Sequence, residues 1–181
     1  ESVNWRAKAI GATDISHMVQ ALGDLLRATL SEKNSNFTIR HELQIVQDYI
    51  TIQRIRFDEE RLDYQQEIEA SILDAELPQM TIQPLIDNAI NYAMEVIADT
   101  CHIRLRGYAE QHTIHITVTN NGSQFEDHLL EKLQDGTVKP HGIGIGLLNI
   151  HQRIQLIYGD HYGLHLYNLD DEHAVAEIII P

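Results

Sequence analysis

The chain has 181 residues, with 13 Lys+Arg against 27 Asp+Glu and a formal net charge of −14. At 43% hydrophobic and 22% charged it can bury the core of one large or two small domains, and its composition is not that of a disordered chain. Such acidity is repelled by nucleic acid phosphates and anionic membrane surfaces, which argues against both as partners. The acid is uneven: residues 1–61 carry 8 basic and 9 acidic groups, residues 62–181 carry 5 and 18. That asymmetry predicts two units. A single cysteine, Cys101, excludes an internal disulfide and a cysteine zinc cage, and beside alternating apolar residues it reads as a buried, inert thiol. No apolar run approaches the ~20 residues that cross a bilayer, and no signal-peptide pattern is present. The sequons at Asn36 and Asn121 are then chance matches in a reducing compartment. The chain starts at Glu1, in mid-pattern, as a piece of a longer protein would.

From Thr13 to Leu30 the apolar residues Ile15, Met18, Val19, Leu22, Leu25, Leu26 and Leu30 follow helical spacing, which predicts one buried stripe. Residues 31–36 are polar and read as a loop. A second helix is expected from Thr38, with Ile39, Leu43, Val46, Ile50 and Phe57 on one side, making an α-helical hairpin. Two helices bury little, so the pair needs a second copy or the following domain as cover. Beyond Glu60 the period changes to two. Leu62, Tyr64, Gln66 and Ile68 form a strand, Pro78 marks a loop, and Thr81–Ile97 is a helix. Ile103 and Leu105 pair with Ile114, Ile116 and Val118 across a turn near Glu110-Gln111. A short helix over Asp127–Leu133, a helix over Leu147–Tyr158 and a hairpin turning at Asp170-Asp171 complete the chain. Strand pairs interleaved with helices predict an α+β, two-layer α/β sandwich preceded by the helical hairpin.

Two places break the amphipathic pattern. In the helix around Leu85–Ala93, Ile82, Ile86, Ala89, Ile90, Ala93 and Ile97 form an ordinary core stripe. The opposite stripe holds Asp87, Asn88, Asn91 and Glu95. Asn and Asp are poor helix formers, so this cluster is a local cost that a site would explain; a solvated face is the alternative. The second place is Asn120-Asn121-Gly122 at a strand end, followed by Gly142-Ile143-Gly144-Ile145-Gly146-Leu147 before a helix. Alternating glycines there let the backbone approach a ligand and aim N–H groups at an anion. The spacing fits neither the dinucleotide fingerprint nor a P-loop.

Taken together, the ordered segments resemble the GHKL ATP-binding fold, and most closely the sensor histidine kinases of the LytS/YesM-like subgroup. Gln83-Pro84-Leu85-Ile86-Asp87-Asn88-Ala89-Ile90 is similar to the N box and Val118-Thr119-Asn120-Asn121-Gly122 to the G1 box. The stretch from Gly142 to Ile154, with Asn149 and Arg153, is similar to the G2 box. Glu42-Leu43 through Tyr49-Ile50 and Arg54-Ile55-Arg56-Phe57 look like the segment leading into that domain. The resemblance implies that residues 1–60 are the C-terminal part of a dimerisation and phosphoacceptor region, and 61–181 an ATP-binding catalytic domain with a lid at about 123–141.

The implied cofactors are ATP and Mg²⁺. Asn88 would ligate the metal through its amide oxygen, a hard ligand for a hard ion. Asp87, where the family usually has Glu, would take or orient the proton of the attacking imidazole. Asn120, where many members have Asp, would accept a hydrogen bond from the adenine amine, and Gly122 would let the base lie against the backbone. Gly142, Gly144 and Gly146 would form the hinge and floor of the phosphate site, with Leu147 onward offering a helix N-terminus. Lys139 and His141 would reach phosphate from the lid, and Asn91, Tyr92 and Asn149 complete the nucleotide-binding set. Tyr92-Ala93 replaces a common His-Gly pair and His173-Ala174 a common Gly-Thr pair.

The phosphoacceptor motif itself is absent; Glu1-Ser2-Val3-Asn4-Trp5 looks like the sequence just after it. The resemblance implies transfer of the ATP γ-phosphoryl group to a histidine, relay to a response regulator, a homodimer through the N-terminal helices, and a cytoplasmic domain of a bacterial membrane protein whose membrane segments lie outside this chain. The alternative is a GHKL module that binds nucleotide or dimerises without turnover. Of the 11 histidines, none completes a recognisable metal set. With Arg104, Arg106, Lys132, Lys139 and Arg153 as the only cations beyond residue 61, ATP binding is expected to depend strongly on metal and on backbone N–H groups.

Overall fold

A computed structural model describes residues 2–30, 37–122, 124–137 and 143–181, without the side chains of 28–30, 59, 143 and 144. Helix α1 (Ser2–Ala9) opens the chain. It is separated from α2 (Thr13–Leu30) by Gly11, whose φ of +73° suits glycine. The Ser16 hydroxyl donates to the Asn4 side chain across this turn. Helix α1 was not expected, since eight residues with no apolar stripe give periodicity nothing to report. The stripe on α2 is also not buried as expected. Ser16 and Ala21 are the buried residues, while Ile15, Leu22 and Leu26 stand 50%, 53% and 53% exposed. Helical spacing identifies an apolar face but not its cover, and contacts from α1 and α3 (Ile39–Phe57) leave these three side chains exposed.

Helix α3 belongs to a larger core. Ile39 N–H donates to Ala75 O at 3.0 Å and Leu77 N–H to Phe37 O at 2.9 Å, stitching the start of α3 to the stretch ahead of the next helix. Ile39, Leu43, Val46, Tyr49 and Ile50 share one hydrophobic cluster with the sheet and with α4 (Gln83–Val96). The chain continues through β1 (Leu62–Ile68), β2 (Cys101–Glu110), β3 (Thr113–Asn121), α5 (Leu129–Gln134), α6 (Ile143–Tyr158), β4 (Gly163–Asn168) and β5 (His173–Ile180). The sheet has five strands in the order β1-β2-β3-β5-β4. Strands β1 and β2 are parallel and the other pairs antiparallel. A parallel pair needs a crossover, which α4 supplies.

Along β2, Cys101, Ile103, Leu105 and Gly107 are buried while His102, Arg104 and Arg106 are exposed. One sheet face is therefore packed under helices and the other is open, the two-layer α+β architecture expected. Burial holds the Cys101 thiol up at about 12, so it stays protonated and inert. Helix α6 begins at Ile143, four residues ahead of the expected Leu147. It includes Gly144 and Gly146, each costing about 1 kcal/mol in a helix interior; tertiary packing of Leu147, Ile150 and Ile154 overrides that weak preference.

The start of α4 is held by a buried carboxylate. Glu42 of α3 accepts the backbone N–H groups of Met80 at 2.7 Å, Thr81 at 2.9 Å and Ile82 at 2.8 Å. Arg153 of α6 donates to Met80 O at 2.8 Å and Thr81 Oγ1 at 3.0 Å. Burial pushes the Glu42 carboxyl up, against the three N–H donors and the Arg153 charge. Replacing Glu42 by Gln sets an amide N–H₂ against backbone donors, so Glu42→Gln is expected to lower unfolding stability by about 2 kcal/mol; urea titration measures it.

His151 on α6 is buried, and its Nδ1 accepts the Leu164 N–H at 3.1 Å. Burial pulls its pKa below the ordinary 6.5. The unfolded chain therefore binds the proton more readily, and stability from this site is present above 6.5 and lost as pH falls towards the folded value. The difference in stability between wild type and His151→Asn is expected to shrink over that window in paired melts.

Candidate functional site

The site is built on α4. Pro84 lies in its first turn, where a missing N–H costs nothing. Met80, held at φ +59° by the Glu42 bonds, turns the chain into the helix. Asp87 and Asn88 then point to different neighbours, because successive helix residues are about 100° apart. The shared polar stripe expected for Asp87, Asn88, Asn91 and Glu95 is thus divided. Asp87 turns to the helical side, where its Oδ1 accepts both the Tyr49 hydroxyl of α3 and Asn91 Nδ2, the latter at 3.0 Å. Asn88 turns to the sheet and is 3% exposed, against Leu85, Ala89 and Tyr92 of its own helix and Val118 and Asn120 of β3. Its Oδ1 has no hydrogen-bond partner among the described residues. Such an atom costs desolvation energy unless something else meets it.

Asn120 closes the other wall. It is 4% exposed and lies opposite Ile103 and Ala174 in the sheet, with Nδ2 donating to Asn121 O at 3.1 Å. Asn121 has a structural role, accepting His102 N–H at 2.8 Å and donating to Thr100 O at 3.1 Å. Gly122 has φ +84°, donates to Glu172 O at 2.7 Å, and a Cβ there would stand 2.2 Å from the Ile97 side chain. In this geometry Ile97 is what lies against the Gly122 backbone.

The cover falls within the lid expected at about 123–141, though nothing in the sequence singles out either of its two side chains. Gln124 and Phe125 lie over Asn88 and Asn120 and reduce the recess to about 10 Å³, the scale of one water molecule. They are fastened to the far edge of the sheet. Phe125 N–H donates to Asn168 Oδ1 at 2.8 Å, Asn168 Nδ2 donates back to Phe125 O at 2.9 Å, and Gln124 Nε2 donates to Asp170 O at 2.7 Å. Only the register of β4 against β5 brings Asn168 there, and no local pattern announces it.

Of the remaining expected positions, Tyr92 is 37% exposed at the recess mouth. Leu147 is buried in the core and Asn149 is exposed. Gly144 and Gly146 lie in the first turns of α6, which corrects the expectation that a helix N-terminus starts at Leu147. Lys139, His141 and Gly142 lie outside the described residues, as do the ends of the expected lid at 123 and 138–141. The described cations beyond residue 61 are engaged elsewhere. Arg153 holds the α4 start, Lys132 pairs with Glu126, and Arg104 and Arg106 stand on the open sheet face beside Gln65 and Glu67.

A buried polar recess thus lies between α4 and the sheet, walled by Asn88 and Asn120. Residues 73–173 match the Histidine kinase-, DNA gyrase B-, and HSP90-like ATPase family, and residues 1–62 match the Histidine kinase family. The chain belongs to the first of these families, and the two matches in this order are those of a histidine kinase core. It is 40% identical over 181 residues to the sensor histidine kinase YesM of Bacillus subtilis, covering 100% of this chain and 30% of YesM. It is 27% identical over 176 residues to the sensor protein LytS of Oceanobacillus iheyensis, covering 95% of this chain and 30% of LytS. The chain thus spans under a third of the length of these relatives. Among solved structures, the catalytic domain of histidine kinase ThkA has a TM-score of 0.58 at 18% identity, covering 80% of this chain and 94% of that one. ThkA in complex with the response regulator protein TrrA has a TM-score of 0.53 at 17% identity, covering 92% and 49%.

Gly122→Ala is expected to lower stability by about 2 kcal/mol, combining a positive φ with the Ile97 overlap. Adding Ile97→Ala should recover part of that loss in urea unfolding; purely additive losses would show that the overlap is not its source.

Proposed function

We propose that the chain binds ATP with Mg²⁺ between Asn88 and Asn120 and transfers the γ-phosphoryl group to a histidine nitrogen for relay to a response regulator. The observation that carries this reading is the buried, unpartnered Asn88 Oδ1 aimed into the recess that Asn120 completes. A hard amide oxygen fits Mg²⁺, and Asn88 would hold the ion. When bound, the ion neutralises phosphate charge. Asn120 orients the adenine by accepting its amine, and the Gly142–Leu147 stretch supplies backbone N–H groups to phosphate. Because Gln124 and Phe125 cover the recess, nucleotide entry requires them to move off Asn120.

The imidazole nitrogen attacks the γ-phosphorus, the bond to the ADP oxygen breaks, and the imidazole proton passes to the Asp87 carboxylate. Asp87 precedes Asn88 by one residue on the same rigid helix, which supports reading it as the proton acceptor. The names of the relatives support a sensor whose kinase part faces the cytoplasm, where ATP and the regulator are found. Exposed Ile15, Leu22 and Leu26 on α2 support a homodimer through the N-terminal helices, since a second copy is the simplest cover for such a stripe. In this reading residues 1–60 carry the dimer contact and 61–181 the nucleotide, with 123–141 as lid.

Mg-ATP at a hundredfold excess over Kd is expected to add about 2.7 kcal/mol to stability, read as a rise in melting temperature. Asn88→Ala should leave the ligand-free melt little changed, because it removes an oxygen with no partner, and should abolish the Mg-dependent rise. Full Mg-dependent affinity in that variant would remove the metal assignment. An equal rise with and without Mg²⁺ in the wild type would remove the metal dependence altogether.

A further inference from the structure

The carboxylate assigned as proton acceptor is not free on its helix. Its Oδ1 accepts two hydrogen bonds, one from the Tyr49 hydroxyl of α3 and one from Asn91 Nδ2 at 3.0 Å. Both bonds fall on the same oxygen of the carboxylate. Tyr49 is itself fixed. Its ring lies in the core cluster and the residue is 7% exposed. Gln53, one turn further along α3, is also buried. A phenol in such surroundings stays protonated, because burial and the neighbouring carboxylate both raise its pKa. It therefore remains a donor across the working range of pH.

We propose that Tyr49 is a positioning residue for phosphotransfer: by donating to Oδ1 it fixes the Asp87 side chain in one orientation and leaves Oδ2 directed to the incoming imidazole. The inference rests on the reading of Asp87 as proton acceptor. Three physical points support it. A short carboxylate on a helix has several rotamers, and two donors on the same oxygen select one of them. A hydrogen bond to a charged acceptor is stronger than one between neutral groups, so the choice is firm. Tyr49 sits on α3 rather than on α4, so the orientation depends on the seating of the helical segment against the nucleotide domain. Neither Tyr49 nor Gln53 lines the recess of Asn88 and Asn120. Their effect is thus on the transfer step and not on nucleotide affinity.

The test compares wild type, Tyr49→Phe, Asp87→Asn and the double variant. Each is measured for Mg-ATP affinity and for the rate at which γ-labelled ATP labels a histidine-bearing acceptor helix supplied in trans. Tyr49→Phe keeps the ring in the core and removes one oxygen. Its labelling rate at saturating ATP is expected to fall roughly tenfold to a hundredfold, the range for a lost hydrogen bond to a charged group, with ATP affinity unchanged. In the Asp87→Asn background the same change should cost nothing further, since the two act as one unit. Asn91→Ala, which removes the second donor without touching α3, should lower the rate in the same direction and serves if Tyr49→Phe folds poorly. A wild-type rate in Tyr49→Phe, a parallel loss of ATP affinity, or multiplicative losses in the double variant would each overturn the inference. Wild-type labelling by Asp87→Asn would overturn the reading of Asp87 itself, and the inference with it.

Discussion

The site depends on how the chain is anchored where it enters α4, and the anchor is the buried Glu42 carboxylate. Three consecutive N–H groups, those of Met80, Thr81 and Ile82, converge on it, and Arg153 holds the same turn from the other side. A helix start exposes donors that must be met, and its partial positive charge favours an anion there. The carboxylate therefore meets both needs at once, while those donors and the guanidinium oppose only part of its desolvation. Because Glu42 comes from α3 and Arg153 from α6, the pitch and rotation of α4 are set by two elements distant in sequence. Any shift of α3 moves the helix that carries Asp87 and Asn88.

That anchoring also explains how adjacent residues serve separate tasks. With α4 lodged between α3 and the sheet, a step of one residue turns a side chain from one layer to the other. Asp87 meets Tyr49 on the helical side, and Asn88 meets Asn120 on the sheet side. In the proposed reaction the group that handles the proton and the group that handles the phosphates then sit on one rigid element. Their separation is fixed by helix geometry rather than by loop closure. The grip of α3 on α4 at both Glu42 and Tyr49, seven residues apart, is two turns of one helix face. One face of α3 thus sets both the position of α4 and the orientation of its carboxylate.

Much of this was legible before any coordinates, and the gaps have physical causes. Alternation along Ile103–Leu105 and Ile114–Val118 placed the central hairpin, and Asn88 and Asn120 were both singled out before they proved to wall one recess. Periodicity reports which face of a helix is apolar but not what covers it, which is why Leu22 and Leu26 read as buried and are exposed. A polar stripe reads as one face when its members diverge, because Asp and Asn are seen as alike until a neighbour such as Tyr49 separates them. Gly122 was readable as a position needing freedom, but its demand comes from Ile97, 25 residues earlier. Gln124 and Phe125 lay within the expected lid but were not singled out, because their anchors, Asn168 and Asp170, are joined to them only through sheet register.

The charge pattern narrows the chemistry further. A segment with 5 basic and 18 acidic groups is a poor host for a polyanion unless positive charge is supplied locally. The described cations do not supply it. Arg153 is committed to the Met80–Thr81 turn, Lys132 to Glu126, and Arg104 and Arg106 face outward from the uncovered side of the sheet. The wall that the nucleotide would meet is instead neutral, made of amides and apolar side chains. Neutral amides can select a base by hydrogen-bond pattern, but they contribute little against several phosphate charges. In the proposed reading, charge compensation then falls on a divalent ion and on oriented backbone dipoles, both of which act at short range. On this view the acidity of the domain is itself a selectivity device, since it repels phosphate that arrives without its metal.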